Sequence, residues 1–168
     1  MTTRAFERIW RTEDDTAALA QRFANQPALA NCTLALNGGL GAGKTTFTRH
    51  LLRALGAQGR IKSPTYALVE PYELQAPWGP LDAWHFDFYR LEDPQEWEDA
   101  GLRELFASSG LKIVEWLDKA GDLAPPVDVR MDLHIAPDGE QRTVQLHALS
   151  PNGAALLQGA LSDSEGCA

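Results

Sequence analysis

Apolar and polar residues follow two different periods along this chain, and together the two periods predict an α/β fold. Phe47, Leu51 and Leu55 recur every fourth residue, which places them on one face of a helix. Apolar and polar residues alternate over 127–135 and again over 144–148, on either side of a Pro-Asp-Gly turn. We therefore expect an α/β domain that ends in an antiparallel hairpin.

Shorter signals predict the other elements. A cap residue followed by Pro or by an acidic first turn predicts the start of a helix. A short apolar run predicts a buried strand. The expected elements are an edge strand at 6–10, a helix at 13–24 behind the capping box 12–15, a strand at 33–36, a hairpin with a long loop formed by 67–70 and 84–89, a helix that begins at Asp93 and is split at Gly101, and a strand at 111–116.

The strand at 84–89 has two unlike faces. Trp84, Phe86 and Phe88 share one face, whereas His85 and Asp87 lie on the other, with Tyr89. The aromatic face is expected to be buried in the core.

The length of 168 residues fits one domain, which we place at 1–150. The Gly-, Ala- and Ser-rich segment 151–168 is predicted to be a tail, with a short helix around Leu156–Leu157 and disorder beyond it.

Charge and composition narrow the class of protein. The net charge of −8 argues against a broad nucleic-acid surface, so any RNA is expected to be held mainly by a partner. No run of eighteen apolar residues and no signal peptide is visible, and two isolated cysteines form no disulfide framework. The four histidines lack metal-ligand spacing, so no zinc site is predicted. These features predict a cytoplasmic protein without a membrane segment.

The segment Gly38–Thr45 fits the pattern G-x-x-x-x-G-K-[ST] of a phosphate-binding P-loop, or Walker A motif. It lies between a predicted strand and a predicted helix, where free N–H groups and the helix dipole favour anions. Lys44 would bind the β- and γ-phosphates, and the Thr45 hydroxyl would ligate Mg²⁺. The predicted nucleotide-binding residues are Gly38, Gly39, Leu40, Gly41, Ala42, Gly43, Lys44, Thr45 and Thr46.

A P-loop enzyme also needs carboxylates for Mg²⁺ and its waters. Asp87 and Glu115 are candidates because each comes at the end of a predicted strand. Asp87 would bind the metal directly or through water, and Glu115 would hold a metal-bound water or orient the attacking water. Each could equally be an acidic residue that ends a strand at the solvent.

Three more residues have both a functional and a structural interpretation. Thr65, after Pro64, could fold over the γ-phosphate or could simply be a turn residue. Arg90 could pair with a phosphate or with a carboxylate of a partner protein, or it could be an ordinary solvated arginine. Trp116 could shield the site or pack in the core.

Four motifs occur together in this chain: Gly38–Thr45, Lys62–Tyr66, His85–Arg90 and Val114–Trp116. In their order and spacing, the chain resembles the bacterial TsaE (YjeE) family, small ATPases of tRNA threonylcarbamoyladenosine biosynthesis. The resemblance covers roughly 12–135, and the second and third motifs make it specific.

The resemblance implies a P-loop NTPase-like, three-layer α/β domain with a mixed sheet. It also implies slow, Mg²⁺-dependent ATP hydrolysis in support of a TsaB–TsaD pair, which modifies adenosine 37 of tRNA. By motif, Lys44 and Thr45 match the phosphate and Mg²⁺ residues, Asp87 the metal-site aspartate, Glu115 the essential glutamate, Thr65 the switch-like threonine and Trp116 the tryptophan beside the nucleotide.

Two positions depart from the family pattern: Gly39, where many members have Asp, and Leu117, where Pro is frequent. Three rival classes remain. A small-molecule kinase would need lid arginines, a GTPase would need the absent Asn-Lys-x-Asp motif, and a nucleotide-sensing adapter would hydrolyse ATP only incidentally. We expect a weak ATPase that its partners stimulate.

Overall fold

The structure is a computed structural model that describes residues 4–61, 64 and 68–162. Within this part, the strands are β1 (Arg4–Trp10), β2 (Thr33–Asn37), β3 (Val69–Ala76), β4 (Gly79–Asp87), β5 (Leu111–Glu115), β6 (Val129–Ile135) and β7 (Arg142–Ala148). The helices are α1 (Glu13–Ala24), α2 (Lys44–Ala54), α3 (Pro94–Asp99), α4 (Leu102–Ala107) and α5 (Pro151–Leu161), with short 3₁₀ helices at Pro27–Asn31 and Leu117–Leu123.

All the described strands form one mixed sheet in the order β1-β7-β6-β2-β5-β4-β3. The central strand β2 runs parallel to both β5 and β6, and β5 runs parallel to β4. The outer pairs β1–β7, β6–β7 and β3–β4 are antiparallel, which confirms the predicted C-terminal hairpin. Because β2, β4 and β5 are parallel, their carboxyl ends meet at one edge of the sheet, where ligands bind in open α/β folds.

Local sequence signals account for where the helices start. The Asp15 carboxylate accepts hydrogen bonds from the backbone N–H of Arg11 at 2.7 Å and of Thr12 at 3.2 Å, at the start of α1. Asp93 caps α3 by accepting from the Gln95 N–H at 2.9 Å. Gly101, with φ of 70°, separates α3 from α4 as predicted.

One apolar cluster lies on each face of the sheet and joins it to the helices on that face, so the domain has three layers: helices, sheet and helices. On one face α1, α2 and α5 pack through residues such as Phe23, Phe47 and Leu157, all fully buried. On the other face α3 and α4 cover β2, β4 and β5, and the Trp97 and Phe88 rings meet edge to face at 5.8 Å. None of the helices in the described ranges is long and apolar enough to cross a membrane.

The predicted long loop of the β3–β4 hairpin is wrong. The ladder continues to the pair Ala76 and Gly79, so only Pro77 and Trp78 form the turn. The Trp78 indole N–H donates to the Ala24 carbonyl at 2.9 Å, which ties the tip of the hairpin to the end of α1. The turn-forming residues at 76–80 were visible in the sequence, but this tertiary anchor was not.

The packed domain extends past residue 150, where the sequence predicted a tail. Ser150 caps α5 by accepting from the Gly153 N–H at 2.9 Å, and Leu156, Leu157 and Ala160 are buried in the core. The short helix predicted around Leu156–Leu157 is therefore a full structural element. Residues 163–168 lie outside the described part.

Candidate functional site

The candidate site is a cavity of about 310 Å³ at the sheet edge where β2, β4 and β5 end. It brings together residues from three separate stretches of the chain. The lining residues are Leu40, Gly41, Ala42, Gly43, Lys44, Thr45, Thr46, Asp87, Tyr89, Glu115 and Trp116.

The loop between β2 and α2 has the strand–loop–helix context that the P-loop motif predicts. Gly38 lies so close to β6 that a Cβ there would be 2.7 Å from the Leu133 carbonyl oxygen. Gly43, with φ of 108°, precedes the first residue of α2 in a conformation that disfavours a side chain. The first turn of α2 lines the cavity, where the positive end of the helix dipole and backbone N–H groups favour an anion.

Lys44 is buried and already oriented. Its ammonium group donates to the carbonyl oxygens of Gly38 at 2.6 Å and Gly39 at 2.8 Å. Two of its three N–H donors are thus used, and one remains for a ligand. Burial lowers the pKa of Lys44, and the nearby Glu115 and Asp87 carboxylates partly offset that effect.

Glu115 lies at the end of β5 with its side chain almost fully buried. Its carboxylate accepts from the Thr45 hydroxyl, at 3.0 Å to Oε1 and 3.3 Å to Oε2. The imidazole of His85, two residues before the end of β4, lies 2.5 Å away from Oε2. The structure therefore joins the predicted residues Thr45 and Glu115 directly, and adds His85, which sequence reasoning had left without a role.

Asp87 is the residue beside Glu115 in the β4–β5 ladder. Its carboxylate accepts from the Tyr89 N–H at 3.0 Å, and the side chain is half-buried. Burial raises the pKa of Asp87, and the negative charge of Glu115 raises it further. Two carboxylates and the Thr45 hydroxyl are hard oxygen donors, so this set of side chains fits Mg²⁺.

A family model described as "Threonylcarbamoyl adenosine biosynthesis protein TsaE" matches residues 10–144. The chain belongs to the TsaE family.

Individual TsaE proteins agree with this assignment. A tRNA threonylcarbamoyladenosine biosynthesis protein TsaE from Haemophilus influenzae is 39% identical over 122 residues, which is 73% of each chain. Another, from Bacillus subtilis, is 37% identical over 134 residues, covering 79% of this chain and 80% of that one. The crystal structure of Bacillus subtilis YdiB superposes with a TM-score of 0.76 at 25% identity, covering 98% of this chain and 99% of that one.

The two departures from the TsaE pattern are accommodated locally. A Cβ at Gly39 would meet no atom within 4 Å, so the family's frequent Asp would fit there and its absence leaves no gap. Leu117 is buried in the cluster beneath α3 and α4. Gly39 contacts the cavity residue Lys44 only through its backbone carbonyl, which an Asp at this position would also carry.

Trp116 is one of the residues that line the cavity, and the TsaE resemblance implies a tryptophan beside the nucleotide. Its ring is 4.3 Å from the Lys44 ammonium nitrogen and 5.1 Å from the Tyr89 ring centroid. Among the described residues it is the only one other than glycine with a positive φ, of 60°. Arg90 is exposed and is not among the residues that line the cavity, and Thr65 lies outside the described residues.

A second cavity, of about 340 Å³, lies on the other side of the P-loop. It shares Gly41, Ala42, Gly43 and Thr46 with the first one. Its other lining residues are Trp10, Arg11, Thr12, Glu13, Thr16, Glu140 and Arg142. Sequence reasoning missed this group because it depends on the pairing of β1 with β7, in which Trp10 lies opposite Arg142.

Proposed function

We propose that this TsaE-family protein binds ATP with Mg²⁺ and hydrolyses it slowly, in support of a TsaB–TsaD pair that modifies adenosine 37 of tRNA. The observation that carries the proposal is the convergence of Lys44, Thr45 and Glu115 in one cavity at a helix N-terminus. Threonylcarbamoyladenosine biosynthesis is the process for which the matched TsaE proteins are named. The cytoplasm is the compartment we expect for this work.

The phosphate groups would occupy the cavity between the P-loop and β5. Lys44 is held by two loop carbonyls and needs no large rearrangement to direct its third N–H donor to a phosphate oxygen. The N–H groups at the start of α2 supply further donors and the positive end of the helix dipole. These contacts explain nucleotide binding, and they are equally compatible with ATP hydrolysis and with phosphoryl transfer by a kinase.

The metal would be held by the Thr45 hydroxyl, with the Asp87 and Glu115 carboxylates as direct or water-mediated ligands. A bound Mg²⁺ supplies charge neutralisation for the β- and γ-phosphates. Mutual repulsion between the two carboxylates, which contributes to the raised pKa of Asp87, favours a cation between them. The Thr45 hydroxyl would exchange its hydrogen bond with Glu115 for the metal.

Glu115 is the best candidate for the residue that orients the attacking water. It is buried, it lines the phosphate cavity, and its Oε1 atom is 3.0 Å from Thr45. A buried carboxylate beside the γ-phosphate position can accept a hydrogen bond from water and direct the oxygen lone pair at phosphorus.

The nucleoside part would occupy the second cavity. The two cavities meet at Gly41–Gly43, so a ligand with its phosphates in one can extend over the P-loop into the other. The Arg142 guanidinium lies 3.4 Å from the Gly41 carbonyl, which fixes one wall of this route. Trp10, which is buried and stacked on Phe47, lines this space together with Thr12 and Thr16. A lining of aromatic and hydroxyl groups suits a purine and its ribose.

The small number of positive charges in the cavity is our reason to expect that partners stimulate ATP hydrolysis. Within the described residues, Lys44 is the only cationic side chain that lines it, and it is opposed by two carboxylates. Phosphoryl transfer gains a large factor from an additional cation in the transition state, which another protein can supply in trans. We infer that the TsaB–TsaD complex supplies or organises that group.

The test measures phosphate release and ATP binding by the protein alone and with the TsaB–TsaD pair, with and without Mg²⁺. We expect slow release alone, faster release with the pair, and none above background in EDTA. Equal rates with and without the pair would refute partner stimulation. Formation of a phosphorylated small molecule in place of free phosphate would favour a kinase instead.

A further inference from the structure

His85 is the most deeply buried ionisable side chain near the site, with 0% exposure. It lies on the face of β4 that α1, α2 and α5 cover, next to Glu115. It is not among the residues that line the cavity. Its Nε2 atom is 2.5 Å from Glu115 Oε2. Its Nδ1 atom finds no hydrogen-bond partner in the described part of the chain.

We propose that His85 is a positioning residue that fixes the Glu115 carboxylate through an Nε2–H···Oε2 hydrogen bond, leaving Oε1 directed at Thr45 and the phosphate cavity. The proposal rests on the proposed function, because it assigns His85 to the residue that would orient water for ATP hydrolysis. The hydrogen bond itself can be tested without any turnover.

Within the part of the chain that the structure describes, Nδ1 has no hydrogen-bond partner, and this identifies the tautomer. A neutral imidazole carries one proton, on either Nδ1 or Nε2. A proton on Nδ1 would leave a buried N–H group without an acceptor, which incurs its full desolvation penalty. A proton on Nε2 is accepted by Glu115, and the bare Nδ1 lone pair is the less costly group to leave unmatched. The buried His85 is therefore the Nε2–H tautomer and donates to Glu115.

The hydrogen bond from His85 determines which oxygen of the Glu115 carboxylate faces the cavity. Oε2 is engaged by His85 at 2.5 Å, whereas the shorter contact from the Thr45 hydroxyl, 3.0 Å, is made to Oε1. A carboxylate at the end of a strand can otherwise rotate about its last torsion, which is broad and roughly two-fold. Anchoring one oxygen removes that freedom and holds the other at the cavity wall.

The strand register makes this arrangement possible. Asp87 pairs with Glu115, so His85, two residues earlier, projects from the same face of β4 and lies one step further inside the domain. Ile113 is its partner in β5, and the flanking residues on this face, such as Ala83, are fully buried. An apolar side chain would fill the same space, so packing alone does not explain a histidine.

The activity test compares His85→Phe, which keeps a planar ring but has no donor, with His85→Gln, whose side-chain amide nitrogen can replace Nε2. We expect His85→Phe to lower kcat for ATP hydrolysis about 10- to 100-fold, as for other residues that orient a ligand group, with KM for ATP unchanged. His85→Gln should recover most of the loss. His134→Gln, at an exposed strand position, is the control and should retain the wild-type kcat.

Wild-type kcat in a folded His85→Phe protein would overturn the proposal, and so would a loss in His85→Gln as large as in His85→Phe. A second measurement covers the case in which the variants do not fold. In the wild-type protein, nitrogen NMR should show a protonated Nε2 and an unprotonated Nδ1 for His85, and the Nε2 signal should shift in Glu115→Gln. A protonated Nδ1 would overturn the hydrogen-bond assignment. If the wild-type protein releases no phosphate, the proposed function fails, and the NMR result still decides the bond.

Discussion

Replacing Glu115 by Gln separates nucleotide binding from hydrolysis. Gln has nearly the same size and keeps one oxygen to accept from His85 Nε2, which now lies 2.5 Å from the carboxylate. It loses the second acceptor oxygen, which is 3.0 Å from the Thr45 hydroxyl and faces the cavity. The P-loop N–H groups and Lys44 are unchanged, so ATP binding should persist.

The expected loss of rate follows from the role of a group that orients or deprotonates water. Such groups contribute about 10²- to 10⁴-fold, so kcat should fall by that factor in both Glu115→Gln and Glu115→Ala. The two variants should differ in stability. Alanine leaves the buried His85 Nε2–H without its protein acceptor, which costs about 1–3 kcal/mol of unfolding free energy. Glutamine avoids most of that cost.

The assay combines single-turnover phosphate release, ATP binding by calorimetry and urea denaturation. Glu73→Gln is the matched control, because Glu73 is exposed on β3 away from the cavity and makes the same change of charge. Wild-type release by Glu115→Gln would refute the role in hydrolysis. Weaker ATP binding in Glu115→Gln with unchanged kcat would instead make Glu115 a binding group.

Three more perturbations test the fold around the site. Gly38→Ala should lower the unfolding free energy by about 1–3 kcal/mol in urea and weaken ATP binding in calorimetry, because its Cβ would lie 2.7 Å from the Leu133 carbonyl oxygen and would displace the P-loop. Gly39→Ala, whose Cβ meets nothing within 4 Å, should bind ATP normally, and equal effects would contradict this account. Leu157→Ala should lower the unfolding free energy by about 2–5 kcal/mol in urea, whereas a value near zero would mean that α5 is not part of the core. Burial lowers the pKa of Lys112, so the folded protein loses this proton at lower pH than the unfolded chain. The stability of wild type relative to Lys112→Met should therefore rise with pH between the folded and unfolded pKa values, and urea denaturation should show no such trend if the lysine is freely solvated.

Local signals were sufficient to predict most elements of the sheet and helices. The P-loop, the cap at Asp93 and the break at Gly101 each depend on a few adjacent residues, and the structure has all three. The alternation at 84–89 separated Phe86 from His85 correctly because side chains on a strand must alternate. The catalytic, metal and partner roles remain predictions, and Thr65 lies outside the described residues.

Features that depend on distant contacts were not predictable in the same way. The β3–β4 turn is short because Trp78 is anchored on α1, and α5 is ordered by burial of Leu157 and its neighbours. The second cavity requires β1 and β7 to pair in one particular register. Propensity and periodicity carry no information on which strands become neighbours.

The pairing of β4 with β5 shows how the site depends on such a register. Both strands were recognisable, and Asp87 and Glu115 were both candidates, but only the parallel pairing of Asp87 with Glu115 puts them and His85 on one face beneath α2. A shift by one residue would turn one strand's polar side chains toward the aromatic cluster of Phe86 and Phe88, where they would have no polar partner. The apolar residues thus select a single register, and in that register Asp87, Glu115 and His85 are partly or fully buried. Burial of these polar groups costs folding free energy. A fold tolerates such a cost most readily where the buried polar groups have a function. Among the described residues only one ring nitrogen of His85 has a hydrogen-bond partner, and that partner is Glu115, so the contact with Glu115 explains this histidine better than packing does.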